Sequence, residues 1–318
     1  MLVVIALGGN ALLRRNEPPE AEIQRRNVLS AVAKSVGPIA REHRVVVTHG
    51  NGPQVGLLAL QMAALHEVEP YPLDILGAES EGMIGYLIEQ ALAEELPGRE
   101  IATLITQVEV DPSDPAFAVP TKPIGPVYDG SQAHRLTARY GWTFAQEGNG
   151  HRRVVASPSP LRIREIDTIR LLVNAGVTVI CAGGGGIPVA VTVEGALRGI
   201  EAVIDKDYSA ALLAEHLEAD ALLLLTDVSA VWTNWPATPG DYAIGRITPA
   251  ELRAYEFAPG SMGPKVEAAC RFVARTGRVA GIGSVDEAPQ ILAAQAGTIV
   301  TREVRPGQIA CLSSLDTD

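Results

Sequence analysis

Cysteine is scarce. The 318 residues hold three, Cys181, Cys270 and Cys311, widely spaced and without a CxxC pair. An odd count at such spacing argues against a disulfide framework and fits a reducing compartment. A surplus of positive charge is also missing. Lys and Arg number 26 against 37 Asp and Glu, a net charge of −11, and no basic stripe forms. Nucleic acid is therefore not an expected partner, because affinity for a phosphate backbone needs clustered Lys and Arg. The six histidines (His43, His49, His66, His134, His151 and His216) show no HxxxH or Cys/His spacing, which argues against a structural zinc site. The apolar stretch in MLVVIALGGN is far too short to cross a bilayer and has no charged segment before it. It reads as a buried strand of a cytoplasmic protein, with no membrane partner. The chain also lacks a Ser-His-Asp order, paired glycosidase carboxylates, an HExxH helix and a GxxxxGK[ST] loop. No GxGxxG follows a strand with an acid about 20 residues on, so a dinucleotide-binding reading of its glycines fails.

What is present is the composition of an ordinary globular protein, 47% hydrophobic and 20% charged. The length suits two domains or one large α/β unit. Apolar, β-branched runs recur at LVVIAL (2–7), RVVVTHG (44–50), IATLITQVEV (101–110), VTVICAG (177–183), DALLLLTDV (220–228) and TIVT (298–301). Segments of helical period lie between most of them: Val28, Val32, Val36 and Ile39 share one face, and Leu212, Leu213, His216 and Leu217 cluster before Leu222. Continuously apolar strands alternating with helices predict a largely parallel sheet covered on both faces, an α/β sandwich with right-handed crossovers.

Ligands of such sheets sit beyond the carboxyl ends of the strands. Three glycine clusters fall at those ends: Gly8-Gly9-Asn10, Gly50-Asn51-Gly52 after His49, and Gly183 to Gly186. Each alone reads as a turn; their repeated placement on one sheet edge favours a shared anion or nucleotide site. The four consecutive glycines fit a tight turn, a close approach of two segments or an anion-wrapping loop, and the sequence does not choose among these. From about Asp111 to Pro160 the alternation stops. Prolines at 112, 115, 120, 123 and 126 exclude a regular helix or an interior strand. The segment is either a small protruding subdomain or lid, or a surface linker of uncommon length.

Most lysines are simply solvated. Three stand in different surroundings: Lys122 in TKPIGP, Lys206 in VIDKD, and Lys265 in FAPGSMGPK at the start of an expected helix. Phosphoryl transfer uses this inventory, because it depends on positioning and charge stabilisation by backbone N–H groups, lysines and Mg²⁺. Asp205 and Asp207 either hold a lysine in register or, Asp207 above all, cap the helix that follows.

ALGGNALL, THGNGPQVG, GMIGY, TKPIGP, CAGGGGIPV, AVIDKD and FAPGSMGPKVEAA occur here in the order found in carbamate kinases, of the amino acid kinase superfamily, and the chain resembles that family from Val3 to about Thr301. The resemblance implies a three-layer αβα sandwich with an open, mainly parallel eight-stranded sheet and a small protruding subdomain at about 111–160. It implies a carbamate-binding half (1–175) and a nucleotide-binding half (176–318) on one continuous sheet, and a homodimer. The implied reaction is reversible phosphoryl transfer between ATP and carbamate, with Mg²⁺ carried by the nucleotide and no metal site made by the protein alone.

Residue by residue, Gly8, Gly9, Asn10, Gly50, Asn51 and Gly52 resemble the loops that hold the phosphoryl group and carbamate. Lys122, Lys206, Lys265, Asp205 and Asp207 resemble the catalytic set. Thr226, Asp227, Val228, Ala258, Pro259, Gly260, Ser261, Met262 and Lys265 resemble the nucleotide pocket, to which Gly183 and Gly184 are assigned, and Arg152 matches an arginine near an anion. Superfamily relatives such as acetylglutamate kinases place a lysine two residues before the first Gly-Gly. Ala6 stands there, so the resemblance assigns the missing cation to Lys122 on the proline-stiffened arm. Glu81 replaces an expected Gln, and Ala156 an expected Pro. The competing readings are a kinase of the same fold acting on another carboxylate or phosphate, and a noncatalytic nucleotide-binding regulator. Ala6 and the TKPIG arm argue against the first, and retention of all three lysines against the second.

Overall fold

The computed structural model describes residues 1–9, 12–14, 17–64, 69–234, 241–257 and 262–304, with the backbone of 311–314. Five of the expected site residues, Asn10, Ala258, Pro259, Gly260 and Ser261, lie outside the described residues.

Eight strands form the main sheet. Numbered within it in chain order they are β1 (Leu2–Leu7), β2 (Arg44–His49), β3 (Ile101–Thr103), β4 (Thr178–Ile180), β5 (Ala221–Thr226), β6 (Arg246–Ile247), β7 (Val279–Ser284) and β8 (Thr298–Val300). Their spatial order is β6-β8-β7-β5-β1-β2-β4-β3, and only the β7–β8 pairing is antiparallel. The helices are α1 (Ala21–Lys34), α2 (Val36–Glu42), α3 (Gly52–Ala64), α4 (Leu73–Glu95), α5 (Gly130–Tyr140), α6 (Ile166–Asn174), α7 (Lys206–His216), α8 (Pro249–Leu252), α9 (Met262–Thr276) and α10 (Ala288–Leu292).

Strand β1 shows why the sequence reads as continuously apolar. Its side chains alternate between faces, and both faces are covered. Val3, Ile5 and Leu7 pack with Val28 and Val32 of α1, Ile39 of α2 and Ile88 of α4. Leu2, Val4 and Ala6 pack with Ile169 of α6, Leu213 of α7 and Phe272 of α9. Each fully buried Val or Ile contributes roughly 1.5–3 kcal/mol, so β1 stabilises both layers at once. The three-layer αβα sandwich is the result.

The expected strand over 101–110 is two strands. Its first three residues belong to the main sheet, and Gln107–Val110 pairs instead with Ile187–Val191 and Pro160–Ile163 in a separate four-stranded sheet. The backbone changes partner on the way: Leu104 N–H donates to Ile180 O, while Thr106 O accepts from Ile187 N–H. Strand β4, although it follows residue 175, sits between β2 and β3. The sheet therefore does not part at that residue.

The proline-rich excursion is folded. Lys122–Tyr128, Gly150–Val155 and Thr143–Glu147 form an antiparallel sheet in that order, flanked by α5. Lys122–Tyr128 is an edge strand, which is where Pro123 and Pro126 are tolerated, and its register shifts between Ile124 and Val127. Helix α5 opens with a capping box, Asp129 accepting from Gln132 N–H and Gln132 from Asp129 N–H, and closes on Gly141 at φ 68°. This arm docks through Ile124, Trp142 and Val155 onto Val55 and Ala59 of α3 and Leu76 of α4.

The approach is closest at two glycines. A Cβ on Gly56 of α3 would overlap the backbone of Gly125, itself at φ 70°. Gly56→Ala is therefore expected to force the arm off α3, at a cost of about 1–3 kcal/mol read from denaturant midpoints. An unchanged midpoint would mean that the two backbones separate freely.

Candidate active site

The carboxyl ends of β1, β2 and β4 lie side by side, and the three glycine clusters meet there. Gly50 N–H donates to Leu7 O at 3.0 Å, and a Cβ on Gly50 would lie 3.0 Å from Gly9 N and 3.5 Å from Lys206 Cδ. A Cβ on Gly8 would lie 3.0 Å from Leu225 O, at the end of β5. Gly52 begins α3 with open space in front of it. Asn51 is buried, its Nδ2 donating to Ser80 Oγ at 2.9 Å.

The four-glycine run answers to close approach and turning. Gly184, Gly185 and Gly186 have φ of 67°, 95° and 84°, where a side chain is strained. Side chains there would also collide with neighbours: at Gly183 with the His49 ring, at Gly184 with the Asn51 amide, and at Gly185 with Ile204 O. The Gly183 N–H is already given to Glu81 Oε1 at 2.8 Å. Gly183 and Gly184 thus lie with His49, Asn51 and Glu81 beneath the β2 loop. Close packing and turning account for these two glycines in the fold, and the Gly183 N–H is engaged within the protein.

The charged residues converge on the start of α7. Asp205 is its N-cap, Oδ1 accepting from Asp207 N–H at 2.9 Å, so the capping residue is Asp205 and not Asp207. The other oxygen of Asp205 holds Lys122 of the arm in an ion pair. Asp207, inside the first turn, bridges two lysines: Lys206 Nζ at 2.5 Å and Lys265 Nζ, from the first turn of α9, at 3.0 Å. Asp205 and Asp207 thus hold three ammonium groups together beside the glycine loops. Burial pushes Lys206 below the usual lysine range. Burial would likewise lower Lys265 and raise Asp207, but attraction prevails: Asp207 above all holds Lys265 above its usual value, and Lys206 and then Lys265 hold the Asp207 carboxyl well below.

Thr226 and Asp227 follow β5, Thr226 Oγ1 donating to Asp227 Oδ1 at 3.1 Å. The Asp227 charge raises the Lys265 pKa, which places the end of β5 within electrostatic reach of the lysine cluster. Val228 is half-buried beyond them, and Met262 opens α9 against the core. Arg152 is not brought into the cluster. Its guanidinium serves the arm, Nε donating to Gly125 O and Nη1 pairing with Glu147, both at 3.0 Å. A cavity of about 370 Å³ between α3 and α5 includes none of the three lysines.

Several residues that build the site carried no sequence signal of their own. Thr48 Oγ1 donates to Ala182 O, Ser209 Oγ donates to Gly185 O, and Thr106 Oγ1 accepts from Ala182 N–H, so three hydroxyls pin the glycine turn. Short polar residues beside apolar strands look the same whether they face solvent or a buried backbone. Among the described residues no group of three His, Cys, Asp or Glu could hold a metal ion. Both oxygens of Asp205 and of Asp207 are already engaged.

The sequence profile of the amino acid kinase family matches residues 1–283. The chain is 57% identical over 304 residues to a carbamate kinase of Rhizobium meliloti, covering 95% of this chain and 93% of the relative. It is 52% identical over 304 residues to a carbamate kinase of Haemophilus influenzae, covering 95% and 97%. Among solved structures, carbamate kinase from Giardia lamblia bound to AMP-PNP superposes with a TM-score of 0.86 at 40% identity, covering 95% of this chain and 98% of that one.

Proposed function

The chain belongs to the carbamate kinases of the amino acid kinase family, and from that membership we propose that it moves a phosphoryl group reversibly between ATP and carbamate. In the ATP-forming direction, ADP and carbamoyl phosphate give ATP and carbamate, which breaks down to ammonia and CO₂. The observation that carries this reading is the cluster of Lys122, Lys206 and Lys265 on two carboxylates, set against the loops at the ends of β1 and β2.

A transferring phosphoryl group spreads negative charge over its equatorial oxygens, and catalysis consists mainly of placing positive charge around it. Gly8, Gly9, Asn10, Gly50, Asn51 and Gly52 form the phosphoryl and carbamate side. Thr226 to Val228, Ala258 to Met262 and Lys265 form the nucleotide side. Lys206 stands between them at the positive end of α7, where the helix dipole adds to its charge. Lys122 descends from the arm over the same point, and its position also excludes water from a substrate too small to do so.

Mg²⁺ belongs to this reading as an ion held by nucleotide phosphates and water, since the two carboxylates of the cluster are engaged with lysines. When bound it neutralises phosphate charge. The family reading further implies a homodimer and a cytoplasmic location; among the described residues no helix is long and apolar enough to cross a membrane.

The direct test mixes purified protein with ADP, Mg²⁺ and carbamoyl phosphate, with acetylglutamyl phosphate and acetyl phosphate as parallel donors. ATP is expected from carbamoyl phosphate alone, and chelation should stop its formation until Mg²⁺ is restored. Silence with carbamoyl phosphate despite ADP binding would overturn the substrate assignment, and turnover after stringent chelation would overturn the metal requirement.

A further inference from the structure

Helix α4 carries two consecutive polar residues, Ser80 and Glu81, among buried apolar residues that include Leu76, Ile84, Ile88 and Leu92. Their exposures are 0% and 1%. A buried carboxyl is costly unless its oxygens are used. Those of Glu81 are used on backbone: Oε1 accepts from Gly183 N–H at 2.8 Å and Oε2 from Thr106 N–H at 3.2 Å. Ser80 Oγ accepts from Asn51 Nδ2 and donates to Gly77 O, both at 2.9 Å. One turn of one helix therefore holds both the β2 loop and the Gly183–Gly186 turn, and these touch each other where the Asn51 amide lies over Gly184.

We propose that Ser80 and Glu81 are positioning residues for the phosphoryl transfer, Glu81 by fixing the Gly183–Gly186 turn to Thr106 and Ser80 by fixing Asn51 upon it. The proposal rests on the kinase reading above. Asn51 adjoins Gly50, and Ser209 of the helix that Lys206 opens donates to Gly185 O, so a shift of the turn displaces the elements that carry the groups facing the phosphoryl oxygens.

The chemistry at position 81 follows from its two partners. Both are N–H donors, and an ionised carboxylate accepts from both at once, in charge-assisted bonds. A protonated carboxyl must carry its hydrogen on one of those two oxygens. A hydrogen added there weakens the bond that this oxygen accepts; the His49 ring also lies against Gly183, its buried Nε2 without a hydrogen-bond partner. The groups facing this point are His49 from the end of β2, Cys181 from the end of β4 and Glu165 from the start of α6, with Lys206 acting on His49. Burial pushes Glu81 up to about 8 and His49 down to about 4, so around neutrality His49 is uncharged and Glu81 is the group that titrates. Raising the pH through about 8 ionises Glu81 and completes the clamp.

The test compares native protein with Glu81→Ala, Glu81→Gln, Ser80→Ala and a control, Glu89→Gln. Glu89 is a carboxylate of the same helix that bonds Thr103 Oγ1 on β3. In the ATP-forming assay Glu81→Ala is expected to lower kcat by about 100-fold, the scale of an ångström-sized misplacement, with KM for ADP little changed. Ser80→Ala should lose less, and Glu89→Gln nothing. Glu81→Gln keeps one acceptor but turns its NH2 toward the other N–H donor, so it should retain part of the turnover, between native protein and Glu81→Ala, and should lack the rise of kcat through pH 8 shown by the native protein.

Amide hydrogen exchange of residues 182–186 is followed in parallel. It should be slow in the native protein and clearly faster in Glu81→Ala. Native-like kcat in Glu81→Ala, or a pH profile shared by native protein and Glu81→Gln, overturns the proposal. Should native protein make no ATP, the kinase reading falls, while exchange still decides the clamp: equal protection in native protein, Glu81→Ala and Glu81→Gln would refute it. Should Glu81→Ala fail to fold, the pH profile and exchange of Glu81→Gln decide alone.

Discussion

Lys122→Ala is expected to lower turnover by about two to three orders of magnitude, the loss seen when one preorganised charge-stabilising donor is removed, while ADP binding changes little. The reason lies in where the side chain comes from. Lys122 begins the edge strand of the arm and reaches the cluster by a single ion pair to Asp205. It is 28% exposed, so its removal leaves no deeply buried cavity and the fold should survive. In the proposed arrangement nucleotide binding belongs to the opposite side, around Thr226, Asp227 and the start of α9. Lys122→Arg should restore only part of the rate, because a planar guanidinium cannot replace a compact ammonium at one point. Single-turnover kinetics with carbamoyl phosphate, beside calorimetric ADP binding, separate the two effects. Undiminished turnover would remove the arm from the chemistry.

Asp207→Ala should be the most damaging substitution for stability, at about 3–5 kcal/mol, as expected when one member of a buried ion pair is deleted. Its side chain is 4% exposed and bridges two lysines whose side chains are 10% and 12% exposed. Without it two buried ammonium groups face each other with only Asp205 and Asp227 to offset them. The sign of the pH effect follows. In the native protein the Asp207 pKa is depressed, so its stabilisation is complete above the unfolded value of 3.8 and is lost only as the pH falls below that. In Asp207→Ala the burden passes to the lysines, so the denaturant midpoint should recover as alkaline pH removes a proton from one of them. A midpoint equal to native at neutral pH would show that the lysines find other partners.

Much of this architecture was legible along the chain. Apolar runs alternating with periodic segments specified a covered parallel sheet, because a strand buried on both faces has no polar positions to alternate. The glycine clusters marked the carboxyl edge, because backbone approach there leaves no room for a Cβ. Lys122, Lys206 and Lys265 stood out by their Pro, Gly and acidic neighbours, and the structure brings all three onto Asp205 and Asp207. The expectation failed where one residue type serves two environments. IATLITQVEV is uniformly apolar, yet its second half leaves the main sheet, because Thr106 turns its backbone to Ile187. Asp205, not Asp207, caps α7, since either acid fits that position by sequence alone. Glu81 looked like a departure at an unremarkable helix position, and only packing shows that both its oxygens receive backbone donors.

The sequence by itself determined the α/β class, the edge on which the glycine clusters gather and the three lysines that stand apart from the rest, because each depends on local pattern or on residues whose type limits their use. The tertiary structure alone decided which acid holds which lysine, that the glycine run packs under the β2 loop, and that α4 secures that floor. Those outcomes depend on contacts between segments far apart in the chain, where burial turns an ordinary Ser or Glu into a committed hydrogen-bond partner and no local pattern records it.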